Sequence, residues 1–209
     1  MLLFDVAFAT TWSVPAQGSL ADVVAGSQPG DTVRIEADIT VSDAITVPHA
    51  LVFEGSSTVR AGTAMDAVLI VDHDVTVLDL VFDLDGKDAR ALLLNAGTSH
   101  LEGVTFRSAH RHDGGGAVRI GAAQVSGVGL IFEDNQALRG GGVYVDGGAT
   151  FACTGCAFTG NAVHGDFPEG GGIHVRGAAV IESSTFSGND SEHVGGGIHV
   201  ANGGALEVS

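Results

Sequence analysis

Apolar positions along this chain come in short alternating bursts, and the bursts keep a beat. In the second half the series runs Gly115-Gly116-Ala117-Val118-Arg119-Ile120, then Gly140-Gly141-Gly142-Val143-Tyr144-Val145. Gly170-Gly171-Gly172-Ile173-His174-Val175 and Gly195-Gly196-Gly197-Ile198-His199-Val200 follow, so the first apolar positions are 25, 30 and 25 residues apart. An insertion between Asn161 and Gly170 accounts for the longer step. A second motif, Phe-x-x-Asn, repeats at Phe132 to Asn135, Phe158 to Asn161 and Phe186 to Asn189. Phe106 and Phe82 extend the Phe series upstream without the Asn, and Phe53 adds one more member. Period-two runs broken by Gly, Asn or Asp predict brief strands, not helices. A repeat this short cannot bury its own apolar face and must stack on its neighbours.

The predicted fold is therefore all-β: a right-handed parallel β-helix of about eight coils, with successive coils ~4.8 Å apart. Val118, Val143, Ile173 and Ile198 should line the interior, the Phe residues should form a second stack, and Asn135, Asn161 and Asn189 a turn ladder. Arg119, Tyr144, His174 and His199 alternate with interior positions, which points them outward to solvent. Residues 19–26 have helical apolar spacing between an N-cap Ser19 and Gly26, predicting a short capping helix over the first coil. Residues 18–209 read as one β-helix domain. Residues 1–17 are either the remnant of a signal, cleaved near Ala7-Phe8-Ala9, or a first strand. The closing residues 201–209 echo the mid-coil residues 146–151, so the chain is expected to be truncated at its C-terminus, or to leave an open end that joins another copy.

Charge narrows the partners. Nine basic residues against 25 acidic ones give a net charge of −16, which repels phosphate backbones and argues against nucleic acid. No run approaches the ~20 apolar residues of a membrane span. The 32 glycines, far above average usage and without a collagen period, mark many tight turns. The two cysteines, Cys153 and Cys156, lack the second pair of a zinc ribbon and the βαβ setting of a redox pair. They read as small residues, with at most a local disulfide.

The GG[GA]-[VI]-x-[VI] and FxxN motifs resemble the repeats of the chlamydial polymorphic outer-membrane proteins. More broadly they are similar to the right-handed parallel β-helix, or pectate-lyase-like, superfamily. Residues 19–35, an alanine-containing cap followed by Pro-Gly-Asp-x-Val, look like the entry to such helices. The resemblance is good over residues 104–209 and looser over 31–103. It implies an extracellular or cell-surface, outer-membrane-associated location. It leaves function open, because the superfamily holds lyases, hydrolases, tailspikes and adhesins.

Three groups of residues invite chemistry. Asp72, Asp74, Asp83 and Asp85, with Asp79 and Asp88 nearby, offer hard oxygen ligands for calcium, although Asp83-x-Asp85-Gly86 lacks EF-hand spacing. The turns between Phe-x-x-Asn and Gly-Gly carry His110, His112 and Asp113, then His164, Asp166 and Glu169, then Asp190, Glu192 and His193. Of these, His164, Glu169 and His193 are the candidates for acid–base or zinc chemistry, with the Leu138-Arg139 coil breaking the row. The outward column Arg119, Tyr144, His174 and His199 could stack on sugar faces. The Asn-Thr-Asp, Asp-Asp and Gly-His-Gly elements of polygalacturonases are absent. The leading expectation is a secreted or surface-displayed rod with an adhesive or structural role, contacting carbohydrate or a surface protein. A polysaccharide-active lyase or hydrolase is the first alternative, and a self-assembling filament subunit the second.

Overall fold

A computed structural model describes residues 9–209. Beside a short sheet of Gln136–Ala137, Ala162–Val163 and Asp190–Ser191, three long parallel sheets run along the molecule. One has nine described strands, from Thr11–Val14 to Ala205–Val208. The second, seven-stranded, runs from Ile45–Val47 to Ile198–Val200, and the third, also of seven, from Ile39–Val41 to Thr185–Ser187. Every strand in these sheets pairs with the equivalent strand one coil away, as Val143–Val145 pairs with Val118–Ile120 before it and Ile173–Val175 after it. This is a parallel β-solenoid. It makes about six turns by the steps of its seven-stranded sheets, and the nine-stranded sheet spans eight such steps. The cleavage-like Ala7-Phe8-Ala9 lies largely outside the described residues, but Thr11–Val14 is a strand, paired in register with Thr32–Ile35.

Alternation decides which side chains face inward. In Thr150–Thr154, Phe151 and Cys153 are buried while Thr150, Ala152 and Thr154 are exposed. The second sheet stacks Ile45, Leu69, Leu92, Val118, Val143, Ile173 and Ile198 in register. The third stacks Phe82, Phe106, Phe132, Phe158 and Phe186, with neighbouring ring centroids 4.6–5.6 Å apart and planes within 17°. Phe53 does not belong to this series: Val59 is the partner of Phe82. Phe53 lies in the nine-stranded sheet between Val33 and Val77. The early coils cause the mismatch. Thr32 pairs with Val52, a step of 20 residues, against 26 from Gln124 to Thr150, so the Phe beat does not carry back.

The asparagine ladder forms as predicted. Asn161 Nδ2 donates to the Phe132 carbonyl (2.9 Å) and to Asn189 Oδ1 (2.9 Å), while Asn161 Oδ1 accepts from Asn135 Nδ2 (2.9 Å) and Asn135 N (3.2 Å). These amides satisfy the backbone where each coil turns a corner, and Asn135 and Asn161 are fully buried. Cys153 and Cys156 are joined in a disulfide under the surface.

Helix α1 (Leu20–Gly26) begins with a capping box: the Ser19 hydroxyl accepts from Asp22 N, and the Asp22 carboxylate accepts from Ser19 N. Its apolar residues Leu20, Val23 and Val24 are buried, and it packs on Thr11–Val14 and Ile45–Val47 at the start of the solenoid. Asp31 then ties this end together, accepting from Thr10 N (2.7 Å), Gln28 N (2.8 Å) and Trp12 Nε1 (2.8 Å). No described helix is long and apolar enough to cross a membrane.

Candidate functional site

The aspartates do not converge. Asp72 accepts from Asn95 Nδ2 (3.0 Å) and Asp74 from Thr98 N (2.7 Å), both at the turn that precedes the strand Val75–Leu78. Asp83 and Asp85 lie beyond that strand. Asp83 is held by Arg107 (2.9 Å), and Asp85 stands 3.6 Å from Lys87. A whole strand separates the two pairs, so proximity in sequence becomes separation around the coil. The calcium cluster expected from Asp72, Asp74, Asp83 and Asp85 is not assembled.

The edge candidates also part company. His164 Nδ1 pairs with Glu192 Oε1 (3.4 Å), and His193 sets its ring edge-on to exposed Phe167 at 5.8 Å. Glu169 turns away from both. It sits in a row of parallel bridges, Gly114 to Arg139 to Glu169 to Val194, that carries the Gly-rich turns from coil to coil. Arg139 therefore continues the row where the sequence suggested a break, and its Nε donates to Glu169 Oε2 at 3.2 Å.

The outward column is real, but its two middle members, Tyr144 and His174, do not face solvent, while Arg119 and His199 at its ends stay part-exposed. Arg119, Tyr144, His174 and His199 are register partners on four successive strands. Tyr144 and His174 stack at 4.9 Å with planes 3° apart, and His174 and His199 follow at 5.0 Å. Yet Tyr144 is only 7% exposed and His174 1%. The glycine triplets cause this burial. Gly140 has φ +59° and folds the chain back over its own strand, and a Cβ on Gly114 would sit 2.7 Å from the Tyr144 ring. Only side-chain-free turns can lie against the outer rings in this way. A sugar face cannot stack on Tyr144 or His174 while those turns are in place.

What the turns do is bring Glu169 onto the histidines. Glu169 Oε2 lies 3.7 Å from His174 Nδ1 and 3.8 Å from His199 Nδ1, and the two ring nitrogens are 3.2 Å apart. Among the described residues these three offer ligand atoms within 4.8 Å of one another. The three came from two different sequence candidates, Glu169 from the edge and His174 and His199 from the column; their meeting is a product of the fold. Burial disfavours the charged His174 ring, and His199 next to it opposes protonation further. Together they outweigh the attraction of Glu169, and the His174 pKa drops to about 4. At neutral pH His174 is an uncharged imidazole with a lone pair to offer. Glu169 is 24% exposed and His199 22%, so the group reaches the surface. It borders a groove of about 290 Å³ lined by Arg139, Tyr144, Glu169, His174, Arg176 and Ala201. Arg119 stands over the Tyr144 ring at 5.5 Å and pairs with Asp146 (2.9 Å), and Arg176 reaches the Tyr144 hydroxyl at 3.5 Å.

A second polar cluster escaped the sequence reading. Arg90, 1% exposed, donates to Asp113 (2.6 and 2.8 Å), Asp66 (3.2 Å) and the Gly114 carbonyl (2.8 Å). Arg111 adds contacts to Asp66, Asp88 and Asp113 at 3.0–3.1 Å. Burial works to raise the Asp113 pKa, but the Arg111 and Arg90 guanidiniums outweigh it and hold it below the ordinary range. The available signal was spacing: Asp66 and Asp113 lie 24 and 23 residues from Arg90, one coil either way. Every charge in this cluster is paired, as a buried guanidinium requires.

Compared with protein-family models, curated proteins and solved structures, the chain matches none.

Proposed function

We propose that the chain is a non-catalytic β-solenoid rod, displayed outside the cell, with an adhesive or structural role. One observation carries this reading: its polar side chains hold coil to coil. Arg34 pairs with Glu54, Arg60 with Asp38, Arg107 with Asp83, Arg119 with Asp146 and Arg139 with Glu169, each across one coil step. The asparagine ladder does the same inside the corners. An enzyme acting on polysaccharide needs carboxylates set free to converge on a substrate. Here the aspartates that invited that comparison are apart, and Asp83 is tied to the neighbouring coil.

Two further points support display outside the cell. The Cys153–Cys156 disulfide suits an oxidising compartment. The GG[GA]-[VI]-x-[VI] and FxxN repeats resemble those of surface β-helices. A carbohydrate or surface-protein partner would meet the groove beside Arg139 and Arg176, not the covered rings. The test is a panel of acidic and neutral polysaccharides, assayed with calcium and with chelator for new reducing ends and for unsaturated products, alongside saturable binding to the same panel and to cell surfaces. Binding without turnover is the expected outcome. Calcium-dependent cleavage would overturn the rod in favour of the enzyme.

A further inference from the structure

We propose that Glu169, His174 and His199 form a binding site for one zinc-type divalent ion, with a fourth position open to the groove. The geometry is the argument. Glu169 Oε2, His174 Nδ1 and His199 Nδ1 are separated by 3.2, 3.7 and 3.8 Å. The point equidistant from all three lies about 2.1 Å from each, the length of a zinc–nitrogen or zinc–carboxylate bond. Two histidines and one carboxylate are also a donor set that zinc accepts when it keeps a position for water or ligand.

The fold holds this arrangement in place. His174 and His199 are register partners on adjacent strands, and Glu169 belongs to the bridged row that fixes the Gly-rich turns. The stacked Tyr144 ring sets the plane of His174, the kind of outer support that orients a ligand. Arg139 draws on the same carboxylate oxygen that the ion would use, so its charge opposes the ion and moderates affinity. Glu169 has its second oxygen to offer Arg139 when the ion is bound. The groove bordered by Arg176 and Ala201 supplies the approach.

The test uses the full chain without a polyhistidine tag, titrated with Zn²⁺ by calorimetry and with Co²⁺ by visible absorption. One equivalent should bind. Co²⁺ should give the strong visible bands of a low-coordinate nitrogen–oxygen site, without thiolate charge transfer because both cysteines are bridged. Zn²⁺ should raise the Tm. His174 is buried and its replacement can unfold the strand, so the deciding variants are the part-exposed His199→Asn and Glu169→Gln. Each should weaken binding by about 100-fold or more, at least the loss that removal of a supporting partner causes, with the metal-free circular dichroism unchanged. His164→Ala, on the separate edge with Glu192, should bind as the parent does. Absence of the cobalt bands, full affinity in His199→Asn, or loss of binding in His164→Ala would each overturn the site.

Discussion

Asn161 shows what one residue does in this architecture. Its amide is fully buried and makes four hydrogen bonds that join three coils. Asn161→Ala leaves backbone and amide groups without partners, and should cost about 2–4 kcal/mol in denaturant unfolding. Asn189→Ala, nearer the surface, should cost less. Asp31 gives a pH dependence. Burial opposes its charge, but the donors Thr10 N–H, Gln28 N–H and Trp12 Nε1–H outweigh it and hold the pKa below the ordinary carboxylate value. A depressed folded pKa gives stability that is complete above the unfolded value near ~3.9 and is lost as pH falls through the folded one. The stability gap between the parent and Asp31→Asn should therefore be constant from pH 7 to about 5 and shrink below about 4. A gap that does not change with pH would show that the charge of Asp31 has no part in it. The repeat made the asparagines legible because the same residue returns at each corner. Glu169 was legible only as an edge residue, since it lies by the insertion where the beat is lost.

At the scale of elements, the helix cap and the glycine turns were visible in the sequence to different degrees. Ser19 before an apolar helical run announced α1, and the capping box with Asp22 follows from that spacing. Ser19→Ala should lower stability by about 1 kcal/mol. The glycine triplets signalled turns, but not that the turns fold onto the outer rings. A Cβ at Gly141 would collide with the Gly171 and Ala162 carbonyl oxygens, so Gly141→Ala must push two coils apart. It should lower the Tm and open the Tyr144 and His174 rings to solvent, seen as a rise in Tyr144 quenching. Phe53 shows the opposite limit. An apolar residue suits any inward position, and alternation alone cannot say which of three sheets it joins. That is settled by coil length, which differs between the early and late coils.

The whole molecule is a one-dimensional stack, in which each coil touches mainly the coils on either side. Phe158 is an interior member of its ladder, 4.6 Å from both Phe132 and Phe186. Phe158→Ala should cost about 3–5 kcal/mol, and hydrogen exchange should show residues 131–188 opening while the coils around Val33 keep their protection. Uniform loss of protection along the chain would mean that the rod unfolds as a single unit. The sequence by itself determined the parallel solenoid, its interior stacks, the asparagine corners and the capping helix. All of these depend on periodicity and local propensity, which a linear chain records directly. Only the tertiary structure decided that the outward rings are covered, that the aspartates lie on different sides of a coil, and that Glu169 meets His174 and His199. Such meetings depend on coil length and turn path, which bring residues together or apart around the rod without regard to how near they stand in the chain.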